Sequence, residues 1–184
     1  MKKVLLIIAS KDFQPIEYGT PRTILEDENI KVFTASDSKD KLGNAISADG
    51  SPVKVDFLID DVNVKDFDGI FIIGGPGAME HLDNERTYRI IQEIDREINK
   101  AYGAICISTR ILAHADVLDG RKVTGWDKDN KLKDILKDYN AEYIHDTDVV
   151  IDRNLVTATG PEKAQEFGEA ILKVLYSTQV STAE

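Results

Sequence analysis

This sequence predicts a single α/β domain built on a doubly wound, mostly parallel sheet, and three observations carry that expectation. Short apolar runs alternate with helix-length amphipathic segments along the chain. At 184 residues the chain is long enough for one compact domain with a sizeable core. No internal repeat or low-complexity linker divides it.

In chain order, "VLLIIA" (4–9) reads as a buried first strand. "PIEYGTPRTILEDE" (15–28) reads as a helix that tolerates Gly19 and Pro21, and "IKVFTAS" (30–36) as the next strand. Residues 43–60 form a β-excursion with a turn at Asp49-Gly50. "GIFIIGG" (69–75) is a buried strand that runs into glycines. In 85–100, Tyr88, Ile91, Ile94 and Ile98 recur near helical spacing. "YGAICI" is a strand followed at once by the helix "STRILAHADVL", and "DKDNKLKDILKDYN" is a further helix. "AEYIHDTDVVIDRNLVTAT" holds two strands around a turn at Asp152-Arg153-Asn154. Pro161 suits the first turn of the closing helix, 161–177. The domain therefore runs over 1–177, with 178–184 a frayed tail.

Composition narrows the function classes. Lys+Arg 23 against Asp+Glu 33 gives a net charge of −10, which argues against nucleic acid or an anionic membrane as partner. No apolar run reaches the ~20 residues of a transmembrane helix. "MKKVLLIIAS" lacks a small-residue cleavage pattern after it and reads as strand, not leader. A lone cysteine cannot close an intramolecular disulfide, which fits a reducing cytoplasm. His81, His114 and His145 show no metal-ligand spacing with each other or with Cys106, and the sequence implies neither a metal nor an organic cofactor.

In doubly wound sheets, sites gather at the carboxyl ends of strands. Three candidate loops fall there: the one after "VLLIIA", the "GGPG" at 74–77, and the turn at Cys106. A thiol at a strand-to-helix turn projects above the sheet beside free N–H groups, which lower its pKa and hold a developing oxyanion. Alternatively, Cys106 is a small buried hydrophobe. Gly75 and Ile107 would supply two backbone N–H groups to such an oxyanion site. "GGPG" matches neither nucleotide-binding glycine pattern, and its plain reading is a tight turn. Glu17 in the first turn of its helix is either a dipole-stabilising carboxylate or a proton relay to the thiol, the latter requiring partial burial. Gly74, Ser108, Thr109 and Trp126 are candidate pocket-lining residues. His114 lies about two helical turns beyond Cys106, too far to serve as its base.

With these residues in view, the chain resembles the ThiJ/PfpI (DJ-one) superfamily, of class I glutamine amidotransferase-like, flavodoxin-like fold. The resemblance rests on "KKVLLIIASKDFQPIEYGTPRTIL", "DFDGIFIIGGPG", "GAICISTRILAHADVLDGRKVTG" and "AEYIHDTDVVIDRNLVTATGPEKAQEFGEAIL", and covers nearly the whole chain. It implies that Cys106 is the reactive elbow cysteine and Glu17 its acidic partner, with Gly75 and Ile107 the oxyanion N–H positions. It also implies a homodimer or higher homo-oligomer. Two departures stand out. Peptidase-like members carry His directly after the cysteine, where this chain has Ile107. DJ-one-like members often carry a histidine shortly after the "KVT" strand, where this chain has Trp126. Glu80 aligns loosely with an acidic residue that some peptidase-like members use.

Several functions follow from the resemblance. The first is a cysteine-dependent enzyme acting on small electrophilic carbonyl compounds such as methylglyoxal, in stress protection (glyoxalase- or deglycase-like). The second is a redox-sensing or chaperone-like stress protein without turnover. A degenerate member that only binds ligands or partners is a third. An intracellular cysteine peptidase or amidase is disfavoured, because no imidazole follows the elbow cysteine.

Overall fold

The computed structural model describes residues 1–177; the tail expected to fray lies outside the described residues. β1 (Lys3–Ile8) and the short β2 (Lys11–Phe13) lead into α1 (Pro15–Asp27). β3 (Lys31–Ser36) follows, then the excursion β4 (Asn44–Ser47), β5 (Pro52–Lys54) and β6 (Phe57–Leu58). β7 (Gly69–Ile72) precedes α2 (Ala78–His81) and α3 (Glu85–Asp95). β8 (Ala101–Ile105) turns through a 3₁₀ segment, Cys106–Ser108, into α4 (Thr109–His114). β9 (Lys122–Val123), α5 (Leu132–Asp138) and β10 (Glu142–Tyr143) come next. β11 (Val149–Asp152), β12 (Leu155–Ala158) and α6 (Ala164–Ser177) close the fold.

The main sheet has seven strands in the order β11-β12-β8-β7-β1-β3-β6. All neighbours are parallel except β11 and β12, which form a hairpin around Arg153 in the left-handed region (φ 57). β1 and β8 are buried along almost their whole length, as strands covered by helices on both faces must be. The chain winds from β1 to β3 on one side and returns to β7 on the other, so the strand order reverses at β1. The carboxyl ends of β1, β7 and β8 consequently lie side by side, and a crevice forms there. The three candidate loops leave these three ends.

Several boundaries differ from the sequence expectation. α3 stops at Asp95, and Ile98, expected on its apolar stripe, is 80% exposed in the turn beyond. The helix expected over 127–140 begins only at Leu132, because the Asp127 and Asp129 carboxylates accept the Leu132 and Lys131 N–H groups (2.7 and 3.2 Å). Such local bonds hold the backbone in turns that compete with helix. α4 stops at His114, two residues before Asp116 enters the left-handed region (φ 59). β9 is the "KVT" strand, while β2 and β10 add to the expected set; β2 pairs parallel with β4, with its central residue Asp12 at a positive φ of 58°. Pro21 inside α1 cannot donate to the Glu17 carbonyl one turn back, but it packs against α6, where a Cβ on Gly168 would lie 3.1 Å from its Cα.

Candidate active site

Cys106 stands at the carboxyl end of β8 with φ 64, a left-handed conformation that a non-glycine residue adopts at a cost of roughly 1–2 kcal/mol. The conformation lets the chain leave the strand and enter the 3₁₀ turn at once. It also turns the side chain toward the "GGPG" loop after β7. A Cβ on Gly74 would lie 2.6 Å from both the Cys106 Cβ and the Glu17 Oε2, so only glycine lets these three elements close on one another. Gly75 (φ 118) is equally constrained, since a Cβ there would overlap the Gln14 and Asp12 backbone.

Glu17 is fully buried, although it lies in the first turn of α1. Gln14 caps that helix by accepting the Ile16 N–H (2.6 Å) and is itself tied by its N–H to the Gly74 carbonyl (3.0 Å). The cap thus fixes Glu17 against the glycine loop. Its Oε2 accepts the Gly74 N–H (3.0 Å), while its Oε1 has no nitrogen or oxygen partner. The carboxyl shares a hydrogen bond with the Cys106 thiol. Burial pushes Glu17 from an ordinary 4.5 up to about 7, against the lowering effect of its bonds to Cys106 and Gly74.

The thiol was expected to have a lowered pKa, and the structure reverses that direction. Burial, and then the negative charge of Glu17, push Cys106 up to about 12. The Ile107 and Gly75 N–H groups both donate to the sulfur and act in the opposite sense, without overcoming the first two causes. Glu17 and Cys106 therefore behave as one unit that loses a first proton near neutrality and resists losing a second. With Glu17 protonated, the charge that raises the thiol is gone and the carboxyl becomes a donor toward sulfur. Near neutral pH the pair passes from two protons to one, and the proton lost first is the one on Glu17.

The sequence-derived candidates thus separate into two groups. Cys106, Glu17, Gly75 and Ile107 meet at one point and line a cavity of about 800 Å³ together with Trp126. Gly74 lies behind the thiol, as described above. Ser108 and Thr109, expected along the pocket, are instead fully buried and satisfied: Ser108 Oγ donates to the Ile73 carbonyl (2.9 Å) and Thr109 Oγ1 to the Thr124 carbonyl (3.0 Å). They lock the 3₁₀ turn to β7 and to the segment after β9. Trp126 is held twice, by its N–H to the Cys106 carbonyl (3.1 Å) and by Arg110, whose guanidinium lies 5.3 Å from its ring centre.

None of the three histidines lines this cavity. His81 pairs with Asp37 (3.4 Å), His114 with Asp83 (2.9 Å), and His145 lies beside the Tyr143 ring (6.3 Å between centres). Glu80 is exposed on α2. Among the described residues, no group of three or more His, Cys, Asp or Glu converges as metal ligands, and no helix is long and apolar enough to cross a membrane.

Sequence reasoning missed the far wall of the cavity, formed by Tyr143, Asp148 and the 159–163 turn. In sequence, Pro161 signals only a helix start. The available signal was topological: β12 lies next to β8 and runs parallel to it, so whatever follows β12 must emerge beside Cys106.

The chain as a whole is similar to known proteins. The model of the DJ-1/PfpI family matches residues 2–174. An uncharacterized protein of Methanocaldococcus jannaschii is 36% identical over 174 residues, covering 94% of this chain and 82% of that protein. A ThiJ/PfpI domain protein from Brachyspira murdochii superposes with a TM-score of 0.85 at 26% identity, over 95% of this chain and 96% of that one. An oxidized Toxoplasma gondii DJ-1 superposes with a TM-score of 0.80 at 26% identity, over 97% and 93% of the two chains. A family match over nearly the whole chain and a relative this similar lead to one assignment: this chain belongs to the DJ-1/PfpI family.

Proposed function

We propose that the protein is a thiol-dependent enzyme acting on small reactive carbonyl compounds, with conversion of methylglyoxal to lactate as its simplest reaction. The observation that carries this reading is the buried Glu17–Cys106 pair, in which a carboxyl that gains and loses its proton near neutral pH meets the thiol beside two N–H donors and an open cavity. The Cys106 sulfur adds to the aldehyde carbon, and the carbonyl electron pair moves to oxygen. The Gly75 and Ile107 N–H groups, which face the sulfur in the free site, take up that oxygen. Glu17 passes the thiol proton to the oxygen, giving a hemithioacetal. As a carboxylate it then removes the proton from the former aldehyde carbon, the ketone oxygen takes a proton to give an enediol, and Glu17 returns its proton to the neighbouring carbon while the first hydroxyl gives up its own, leaving a lactoyl thioester. Water cleaves the thioester and restores the thiol. One carbon is oxidised and its neighbour reduced within the same molecule, so no external oxidant or reductant is needed.

The experiment is lactate formation from methylglyoxal by wild type, Cys106→Ala and Glu17→Gln. Loss by a factor of about a thousand or more in Cys106→Ala is expected, and activity that survives this change sinks the reading. A cytoplasmic homodimer or higher homo-oligomer is part of the proposal, checked by sedimentation.

A second reading is a redox-responsive thiol, favoured by the oxidized state named for the Toxoplasma relative. Peroxide would transfer one oxygen atom to the sulfur, releasing water, and a second peroxide would give the sulfinate. Protonated Glu17 would donate a hydrogen bond to the product. Intact mass after mild peroxide tests it: Cys106 left unmodified at doses that oxidise an ordinary exposed thiol excludes it. Peptidase chemistry has no support, since no imidazole faces the thiol.

A further inference from the structure

The cavity is far larger than the simplest substrate requires. Taking each non-hydrogen atom at the ~30 Å³ share of a liquid water, a three-carbon dicarbonyl fills roughly 150 Å³. The cavity measures about 800 Å³, within the roughly 300–1,000 Å³ of sites that enclose drug-sized ligands. Its lining divides by chemistry. Pro76, Ile107, Trp126, Tyr143 and Pro161 supply apolar and aromatic surface within reach of the reactive pair.

Trp126 is not a casual member of that wall. Its ring lies against the Arg110 guanidinium, and Arg110, 7% exposed, is clamped by two bonds to the Asp129 carboxylate (3.0 and 2.5 Å). Its backbone is bonded to Cys106 itself (3.1 Å). The indole is therefore positioned in advance next to the thiol, and preorganised aromatic surface is what a flat apolar ligand selects.

The charged part of the lining gives no pull to an anion. Asp127, Asp148 and Glu162 outnumber Lys128 and Lys163. Lys163 is already engaged by Asp148 (3.4 Å) and Glu166 (3.2 Å). Keto acids and phosphorylated aldehydes would meet net negative charge.

Resting on the carbonyl-acting reading above, we infer that the preferred substrates are uncharged carbonyl compounds bearing an aromatic or similarly bulky apolar group, and that Trp126 is the residue that selects them. The carbonyl carbon sits at Cys106 while the apolar group stacks along Trp126.

Two measurements test this. In the first, wild type and Trp126→Ala are assayed with phenylglyoxal, which gives mandelate, and with methylglyoxal. Wild type should favour phenylglyoxal by at least about tenfold in kcat/KM, mainly through KM. In Trp126→Ala the ratio should fall to about threefold or less. A preference for methylglyoxal, or an aryl preference untouched by Trp126→Ala, overturns the inference. The second measurement needs no turnover. Trp126 is the one tryptophan in the chain, so its emission reports on this cavity alone. Cys106→Ser protein is titrated with phenyl glycol and with propylene glycol, unreactive analogues of the two substrates. Binding of phenyl glycol at least about tenfold tighter is expected, and equal or absent binding overturns the inference. No turnover with either aldehyde, beside clear phenyl glycol preference, sinks the carbonyl chemistry while leaving the ligand class standing.

Discussion

Two buried ionisable side chains, Glu17 and Arg121, sit at opposite ends of the central sheet and are treated in opposite ways. Arg121 is 7% exposed beside the amino end of β8. Its Nη2 donates to the Asp152 carbonyl (2.8 Å) and to Asn154 Oδ1 (3.1 Å), its Nε lies 3.4 Å from the Asp152 carboxylate, and its guanidinium stands over the Tyr102 ring. Asp152 answers in kind: burial raises its carboxyl, but the Lys122 N–H, Arg121 and Arg153 together hold it below the usual range. Among the described residues, no cation pairs with Glu17. It has one N–H, one thiol and an oxygen that no nitrogen or oxygen reaches. A buried charge that is paired stays charged and holds the fold, whereas one left without a counter-ion drifts toward its neutral form and becomes a proton store.

The largest expected effect lies at the paired end. Arg121→Met leaves Asp152 without its buried partner and should cost about 3–5 kcal/mol of unfolding free energy, measured by urea denaturation at neutral pH. Alkylation of Cys106 should be unchanged. A loss below about 1 kcal/mol would mean that the Arg121 cluster does not hold this end of the sheet. Glu17→Gln should do the reverse. Glu17 has its pKa raised from 4.5 to about 7 by folding, so wild-type stability is fully present below the unfolded value and is lost as pH rises through about 7. The variant lacks this penalty. Relative to wild type, it should gain about 3 kcal/mol between about pH 4 and about pH 8. A flat difference across that range would show that Glu17 is not held neutral.

Much of this contrast was readable from residues, and some was not. The run "GIFIIGG", the lone thiol after "YGAI" and the acidic residue after Pro15 are local patterns, and each marks the end of a strand or the start of a helix. Adjacency of β1, β7 and β8 then brings them together. The direction of the thiol pKa was not readable, because it depends on burial and on the distance to one carboxylate, which no spacing encodes. Ser108 and Thr109 look like pocket hydroxyls in sequence, but their partners, the Ile73 and Thr124 carbonyls, are brought to them only by the tertiary fold. The three-residue β2 was hidden because its central residue, Asp12, takes a positive φ that propensity does not foretell.

The Glu17→Gln variant carries a second expectation that separates acidity from proton relay. Removing the carboxylate removes the charge that stands second only to burial in raising the thiol. Iodoacetamide at about pH 9 should therefore react faster with the variant, by roughly tenfold for each pKa unit recovered. Methylglyoxal turnover should fall in the same protein. If both rates fall together, Glu17 activates the thiol and does not simply move its proton.

The smallest effect sharpens what the histidines do. His114 Nδ1 meets both oxygens of Asp83 (2.9 and 3.0 Å), and the Tyr88 hydroxyl donates to the same carboxylate (2.6 Å), bracing α4 to the loop between α2 and α3. This His-Asp-Tyr set has the residue types of a catalytic relay, but His114 does not line the cavity that holds the thiol. His114→Gln should cost only about 1 kcal/mol, the worth of a half-exposed polar contact. The alkylation profile of Cys106 should keep its midpoint and its rate. A shift in that midpoint would join the brace to the thiol's acid–base chemistry, and the distinction between a structural pair and a working pair would have to be redrawn around three residues instead of two.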